Sequence, residues 1–344
     1  MTSGARVALL LAPVTLHAQA GRPPAAADSL RTPAVSVRTA GGWVDGTFTN
    51  ATGSRRYRLY VPEGNAPTGG RMLVVLLHGC TQDAGDFARG TRVARHADRD
   101  GFLALLPEQP VTAHPKKCWN WYEPAHQARD AGEPSLIADL TRHIAREYGA
   151  DSARVHLAGI SAGAAMASLV AVAYPELYAS LALHSGLPWR AATGVASALG
   201  AMGKGVPDAD ALGSAAFEAM PDGARAIPAL VIHGAKDAVA SPLNSRQSAR
   251  QWAVTNARAL GAPPPAASGP AGRETSGETA GYRWTRTCHL SAVDRCVVEE
   301  LVVHELGHAW SGGSREGTYT DERGPEAMSE IVRFFRENPM PGRR

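Results

Sequence analysis

Arg154-Val-His-Leu-Ala-Gly-Ile-Ser-Ala-Gly-Ala-Ala-Met-Ala-Ser-Leu-Val-Ala-Val-Ala-Tyr174 decides the fold of this chain. Arg154–Ala158 reads as a short buried strand, and Ala162–Tyr174 reads as a helix that stops at Pro175. Between them, Gly159-Ile160-Ser161-Ala162-Gly163 fits G-x-S-x-G. The pattern gains meaning from its strand–turn–helix setting. A serine on so sharp a turn needs glycine or a very small residue two places before and two places after it. The helix N-terminus then lies beneath the hydroxyl, where its free N–H groups and dipole favour developing negative charge. A chance Gly–Ser turn is the bland alternative, and the flanking strand and helix argue against it.

Outward from this turn, apolar runs alternate with helical patterns. Met72–Leu77, Phe102–Leu106, Ser180–Leu183, Ala229–Ile232 and Val297–Val303 are short continuous apolar runs, as strands buried on both faces require. Asp86–Arg99 and Pro134–Tyr148 read as helices, and Met328, Ile331, Val332 and Phe335 stripe a final one. Ser241-Pro242 reads as an N-cap followed by proline at the first helical position. Such alternation predicts an α/β fold: a mostly parallel, doubly wound sheet with helices on both faces. Trp43–Thr49 and Arg56–Val61 precede it as two strands around a turn. Gly203–Gly223 and Pro263–Glu278 break the alternation and are expected to be excursions on the rim of one domain, spanning 45–340.

The 344 residues carry 35 Lys+Arg against 32 Asp+Glu, a net charge of +3 that does not suggest a nucleic-acid partner. The Arg55-Arg56 and Arg58 cluster reads as a solvated hairpin face. Arg6, the apolar run Val7–Leu16 and the small-x-small sequence Ala18-Gln19-Ala20 predict a signal peptide over 1–20 and export from the cytoplasm. A flexible lead-in over 21–44, rich in Ala, Pro and Ser, would follow. No later segment is long and apolar enough to span a bilayer. In an exported chain, the four cysteines Cys80, Cys118, Cys288 and Cys296 read as disulfides, with three connectivities open. Their spacing suggests Cys80–Cys118 and Cys288–Cys296, the second pair lying across a hairpin turn. No CxxC occurs, so no metal site is expected from these thiols.

A nucleophilic serine needs a base, and the base needs an orienting acid. Asp237 stands 76 residues after Ser161, on the loop that follows the run Ala229–Ile232. Asp222 precedes that run and is the fallback. His308 follows the last apolar run, 71 residues beyond Asp237. His78, His184 and His233 precede Asp237, and His304 belongs to the end of a strand. His304-Glu305-Leu306-Gly307-His308 also spells H-E-x-x-H, but that zinc motif needs a helix. A β-branched run before it, Gly307 within it and Gly312-Gly313 after it leave no room for one. The amides of Cys80, after the first apolar run, and of Ala162 are the candidates to hold an oxyanion.

Leu77-His-Gly-Cys-Thr-Gln82, Pro107-Glu-Gln109, Cys118-Trp-Asn-Trp-Tyr122, Gly159-Ile-Ser-Ala-Gly-Ala-Ala-Met166, His184-Ser-Gly186 and Gly307-His-Ala-Trp310 together resemble the extracellular polyhydroxybutyrate depolymerase esterases. The resemblance spans roughly 45 to 338 and implies an α/β-hydrolase fold. It implies hydrolysis of short-chain hydroxyalkanoate esters through an acyl-serine, without a cofactor. Ser161, Asp237 and His308 would be the triad, and Cys80 an oxyanion donor. Trp119, Trp121 and Trp310 are expected to wall the substrate site, with core packing as the alternative. Depolymerases that attack solid polymer append a separate polymer-binding domain, whereas this chain ends at Arg344, so degradation of crystalline polymer is not expected. Feruloyl and acetylxylan esterases share the same motifs and are the alternative.

Overall fold

The computed structural model describes residues 41–264, 272–290 and 296–341. The expected signal peptide and nearly all of the lead-in lie outside these residues. The chain opens with an antiparallel hairpin, β1 (Gly42–Asn50) and β2 (Gly53–Val61). β3 (Arg71–Leu77), α1 (Ala84–Thr91), α2 (Val93–Asp100), β4 (Leu103–Pro107), α3 (Gly132–Glu147), β5 (Ala150–Ile160) and α4 (Ala162–Ala173) follow. Next come β6 (Leu181–His184), α5 (Val195–Lys204), α6 (Ala209–Glu218), β7 (Ala229–Gly234) and α7 (Leu243–Ala259). The last third holds β8 (Arg273–Thr279), β9 (Tyr282–Leu290), β10 (Cys296–Val303), the two-residue strands β11 (Trp310–Ser311) and β12 (Thr320–Asp321), and α8 (Ala327–Glu337).

The ten main strands form one sheet in the order β1-β2-β4-β3-β5-β6-β7-β10-β9-β8. The central six, from β4 to β10, run parallel, and antiparallel strands close both edges. β3 shows why the sheet is covered on both faces. Leu73, Val75 and Leu77 enter a core shared with α3, α4 and α7, through residues such as Ile137, Met166 and Trp252. Met72, Val74 and Leu76 point the other way, towards Phe87 of α1, Val93 of α2 and Phe334 of α8. Period-two alternation thus feeds two cores from one apolar run. α4 is buried at all twelve positions, and its alanines let it lie close against the sheet. The strand order turns back on itself between β3 and β5, which opens a crevice at their carboxyl ends.

Both expected disulfides are present, Cys80–Cys118 and Cys288–Cys296, the latter joining β9 and β10. One expectation needs correction, and two rim segments gain detail. Asp86–Arg99 is two helices, broken at Arg92, whose φ of 55° lies in the left-handed region. Gly203–Gly223 is mostly helical. Asp208 caps α6 by accepting from the Asp210 and Ala211 amides at 2.9 Å. A Cβ on Gly213 would lie 2.7 Å from Val254 of α7, so the small residues of this stretch serve a helix–helix contact. The described end of the Pro263–Glu278 stretch is an exposed edge strand, β8, whose polar side chains suit a sheet edge.

Packing predicts where the chain tolerates change. Phe335 is fully buried and stacks on His156 at 4.5 Å, whereas Leu199 is 67% exposed. Phe335→Ala is expected to cost about 3–5 kcal/mol in urea unfolding. Leu199→Ala is expected to stay within about 0.5 kcal/mol of the wild type.

Candidate active site

Loops leave the carboxyl ends of β3, β5, β6, β7 and β10 on one edge of the sheet, the edge at which Ser161 follows β5. The serine occupies φ 55°, ψ −122°, directly between β5 and α4. Two glycines make this turn possible. A Cβ on Gly159 would lie 2.5 Å from the Gly163 carbonyl, and one on Gly163 would overlap the backbone of Leu77 and His78. α4 therefore crosses the end of β3 at backbone contact, and the β3 loop comes within reach of the serine. A Cβ placed on Gly79 would sit 3.5 Å from Ser161 Cβ.

That loop is held tightly. The Gly79 amide donates to Gln82 Oε1 at 2.9 Å, and the Thr81 amide donates to the Lys116 carbonyl at 2.6 Å. The Cys80 amide between them is taken up by neither bond. His78 is fully buried, bonded through Nδ1 to the Gly79 carbonyl at 2.8 Å, while its Nε2 accepts from the Gln109 amide at 3.0 Å. Burial pushes its pKa down to about 4, so the ring is a neutral brace at pH 7. The disulfide carries the constraint from Cys80 to Cys118. Beyond it, buried Glu133 accepts from the Asn120 amide at 2.8 Å, Asn120 Nδ2 at 2.9 Å, Gln109 Nε2 at 2.5 Å and Arg55 Nη2 at 3.1 Å. A buried carboxylate so fully paired holds the 118–122 segment in one arrangement.

Asp237 and His308 meet at the ends of the neighbouring strands β7 and β10, with 2.7 Å between Asp237 Oδ2 and His308 Nδ1. The other carboxylate oxygen accepts from the Val239 and Ala240 amides at 2.9 and 2.8 Å. His233 approaches Oδ2 at 3.2 Å while bonding the Ala240 carbonyl at 2.9 Å. Burial alone would raise the Asp237 pKa, but hydrogen bonds from His233, His308 and the Ala240 amide together hold it well below the usual carboxylate range. Its folded value lies below its unfolded one. The stabilisation it brings is therefore complete at neutral pH and is lost only as acid protonates the carboxylate, below about pH 4.

His184 links the two halves. Its carbonyl accepts the Ser161 amide at 2.9 Å. Its ring stacks on Trp310 at 5.0 Å, and its Nε2 accepts from the Ser311 amide at 3.3 Å. Burial, with the fields of His233 and His308, pushes its pKa down to about 3, so it stays neutral. Ser161, through the His184 carbonyl, and the segment just after His308, through the His184 ring, thus rest on one residue. No direct hydrogen bond joins Ser161 Oγ to His308 among the described residues. Such contacts are often long in an unliganded site and tighten once substrate is bound.

His304-Glu305-Leu306-Gly307-His308 forms a turn. His304 bonds Thr285, Glu305 pairs with Arg283, and His308 faces Asp237, so the two histidines share no centre. The expected tryptophan wall is corrected. Trp119, Trp121 and Trp310 are 0%, 4% and 1% exposed and belong to the two cores, because each ring finds better cover there than at a solvent-filled mouth. The structure adds Glu133, the linking role of His184, and Tyr319, whose exposed ring lies edge-on to His308. His78, Gln82 and Gln109 did stand inside the quoted motifs, where their bracing role could have been sought.

The profile of a family described as Esterase PHB depolymerase matches residues 55–265. The chain belongs to that family. The match carries Ser161, Cys80 and Asp237, while His308 lies beyond it. This esterase-family chain is 32% identical over 211 residues to poly(3-hydroxyalkanoate) depolymerase C of Paucimonas lemoignei, covering 60% of itself and 49% of that protein. It is 34% identical over 151 residues to feruloyl esterase B of Neurospora crassa, covering 44% of itself and 50% of that protein. It is 28% identical over 237 residues to acetylxylan esterase A of Aspergillus oryzae, covering 67% of itself and 73% of that protein. The chain spans about half the length of the first two relatives. An acetyl xylan esterase structure from Aspergillus awamori superposes with a TM-score of 0.66 at 22% identity, covering 86% of this chain and 99% of that one. The fold is that of the α/β hydrolases.

The elbow sets a sharp steric test. Gly163→Ala is expected to lower stability by about 2 kcal/mol or more, because backbone rather than a flexible side chain blocks the new methyl. A melting temperature unchanged by this substitution would contradict the close crossing of α4 over β3.

Proposed function

We propose that this chain is an exported carboxylic-ester hydrolase, with residues 45–340 as its catalytic domain. The observation that carries the reading is the Asp237–His308 hydrogen bond at 2.7 Å, made on the same sheet edge as a serine in an elbow. Ser161 attacks the ester carbonyl. His308 takes the hydroxyl proton and passes it to the departing alcohol. Asp237 fixes the imidazole and stabilises its charged form. The amides of Cys80 and Ala162 hold the tetrahedral oxyanion, and water then cleaves the acyl-serine with His308 again as base. Each step uses groups of the chain and water. Export is supported by the leader-like N-terminus and two disulfides; among the described residues no helix is long and apolar enough to cross a membrane.

The favoured substrates are short-chain hydroxyalkanoate esters, supported by the family and by the Paucimonas lemoignei relative. A second reading, feruloyl or acetylated-sugar esters, is supported by the relatives named for those substrates.

Ser161→Ala is expected to fold normally, to lose at least about 10⁴-fold in kcat on p-nitrophenyl butyrate, and to escape labelling by a fluorophosphonate. Asp237→Asn is expected to lose about 10³–10⁴-fold while still accepting the label slowly. Retained activity in the serine variant would sink the reading. Comparing hydroxybutyrate oligomers, amorphous polymer film, methyl ferulate and acetylated xylan by kcat/KM decides between the two substrate classes.

A further inference from the structure

Tyr319 is an exposed large side chain at the mouth of the proposed site, at 44% exposure. Its ring stands edge-on to His308, with centroids 6.4 Å apart at 79°. Its hydroxyl lies 3.3 Å from Thr81 Oγ1, one residue past Cys80, and the Thr81 hydroxyl itself donates to the Cys80 carbonyl at 2.6 Å. One side chain thus bridges the loop of the base and the loop of the oxyanion donor.

The backbone supports this ring at a cost. Tyr319 has φ 51°, a left-handed conformation that bulky residues rarely adopt. Its surroundings impose the conformation. The Tyr319 carbonyl accepts from the Trp310 amide at 2.7 Å. On one side, Thr318 is held by Asp86, which accepts from its amide at 3.1 Å and its hydroxyl at 2.5 Å, and by Gln82 Nε2, which donates to its carbonyl at 3.0 Å. On the other side, Thr320 Oγ1 donates to the Ser314 carbonyl at 2.7 Å. The turn is strapped on both flanks, and the side chain it presents is turned towards solvent rather than core.

We propose that Tyr319 binds the alcohol portion of the ester and sets specificity there; this rests on the hydrolase reading above. His308 delivers a proton to the departing alkoxide, so the alcohol leaves past the imidazole, and Tyr319 is the ring beside it. Thr81 directs its one hydroxyl hydrogen to the Cys80 carbonyl at 2.6 Å, so its long 3.3 Å contact leaves the phenol hydrogen able to turn to an oxygen of the substrate. The fitting alcohol has an apolar stretch to lie on the ring and a further oxygen acceptor, as the next unit of a hydroxyacid ester chain has. Methanol reaches neither feature.

The test uses esters that share one acyl group. Tyr319→Gly removes the ring and suits the left-handed backbone, so the strap is kept; Tyr319→Phe removes only the hydroxyl. For Tyr319→Gly, kcat/KM on methyl 3-(butyryloxy)butanoate is expected to fall at least about 10-fold more than on methyl butyrate, with Tyr319→Phe falling between wild type and Gly. Hydrolysis of the butyryl-enzyme, followed after the p-nitrophenol burst, should stay within about twofold, because the alcohol has already departed. Equal losses on both esters, or slowed deacylation, would overturn the assignment to the alcohol side. Fluorophosphonate labelling of the wild type reports separately on the hydrolase reading: absent labelling sinks that reading, whereas normal labelling with unchanged ester preference sinks only the role of Tyr319.

Discussion

No side chain fits where Gly163 crosses the end of β3, because the carbonyls of Leu77 and His78 already occupy the space. The rest of the site depends on this backbone contact. It presses the start of α4 against the β3 loop, puts Gly79 beside Ser161, and leaves the serine a left-handed turn as its path from strand to helix. In the proposed mechanism the amides of Ala162 and Cys80 would share one oxyanion at this crossing. Glycine loses more freedom on folding than other residues, typically about 0.5–1 kcal/mol relative to alanine in regular structure. Here that cost is offset by a geometry that a methyl group would abolish.

Histidines around this point divide by burial. His78 and His184 are sealed from water, and desolvation keeps both rings neutral at physiological pH. Each then serves as a rigid two-ended connector: His78 between the β3 and β4 loops, His184 between the elbow and the segment after β10. Residue type alone does not separate a scaffold imidazole from a reacting one. What separates them is partner chemistry. His308, the proposed base, has a carboxylate on Nδ1, whereas the connectors have carbonyls, amides or a hydroxyl on theirs. The depressed pKa of Asp237 follows the same logic: three donors outweigh the burial that would otherwise neutralise it.

The sequence made the parallel sheet legible because each central strand is a short run buried on both faces, which no surface element imitates. The elbow, the chain order of Asp237 and His308, and the pairing of Cys288 with Cys296 were legible for a similar reason: each is a local pattern or a spacing. α6 and β8 were not. α6 is rich in Gly, Ala and Ser because it nests against α7, so its composition records a tertiary contact and breaks the apolar alternation. β8 is polar on both faces because it is an edge. The tryptophans misled in the opposite sense. Large aromatics near a motif read as a binding wall, yet Trp119 and Trp310 pack against the buried His78 and His184. Glu133 gave no signal at all, since its four hydrogen bonds join segments far apart in the chain.

The proposed chemistry and the proposed selectivity occupy different kinds of structure. The proposed nucleophile, oxyanion loop and acid sit at the ends of packed parallel strands and fall within residues 55–265, the stretch matched by the family. His308 is held by a strand end too, but the turn carrying Tyr319 is fixed by a handful of side-chain bonds to Asp86, Gln82 and Ser314. Replacing a strand-end residue disturbs the core, whereas altering a strapped turn disturbs only what it displays. A proposed catalytic set at the strand ends and a proposed specificity residue on a strapped turn would let the one change without the other.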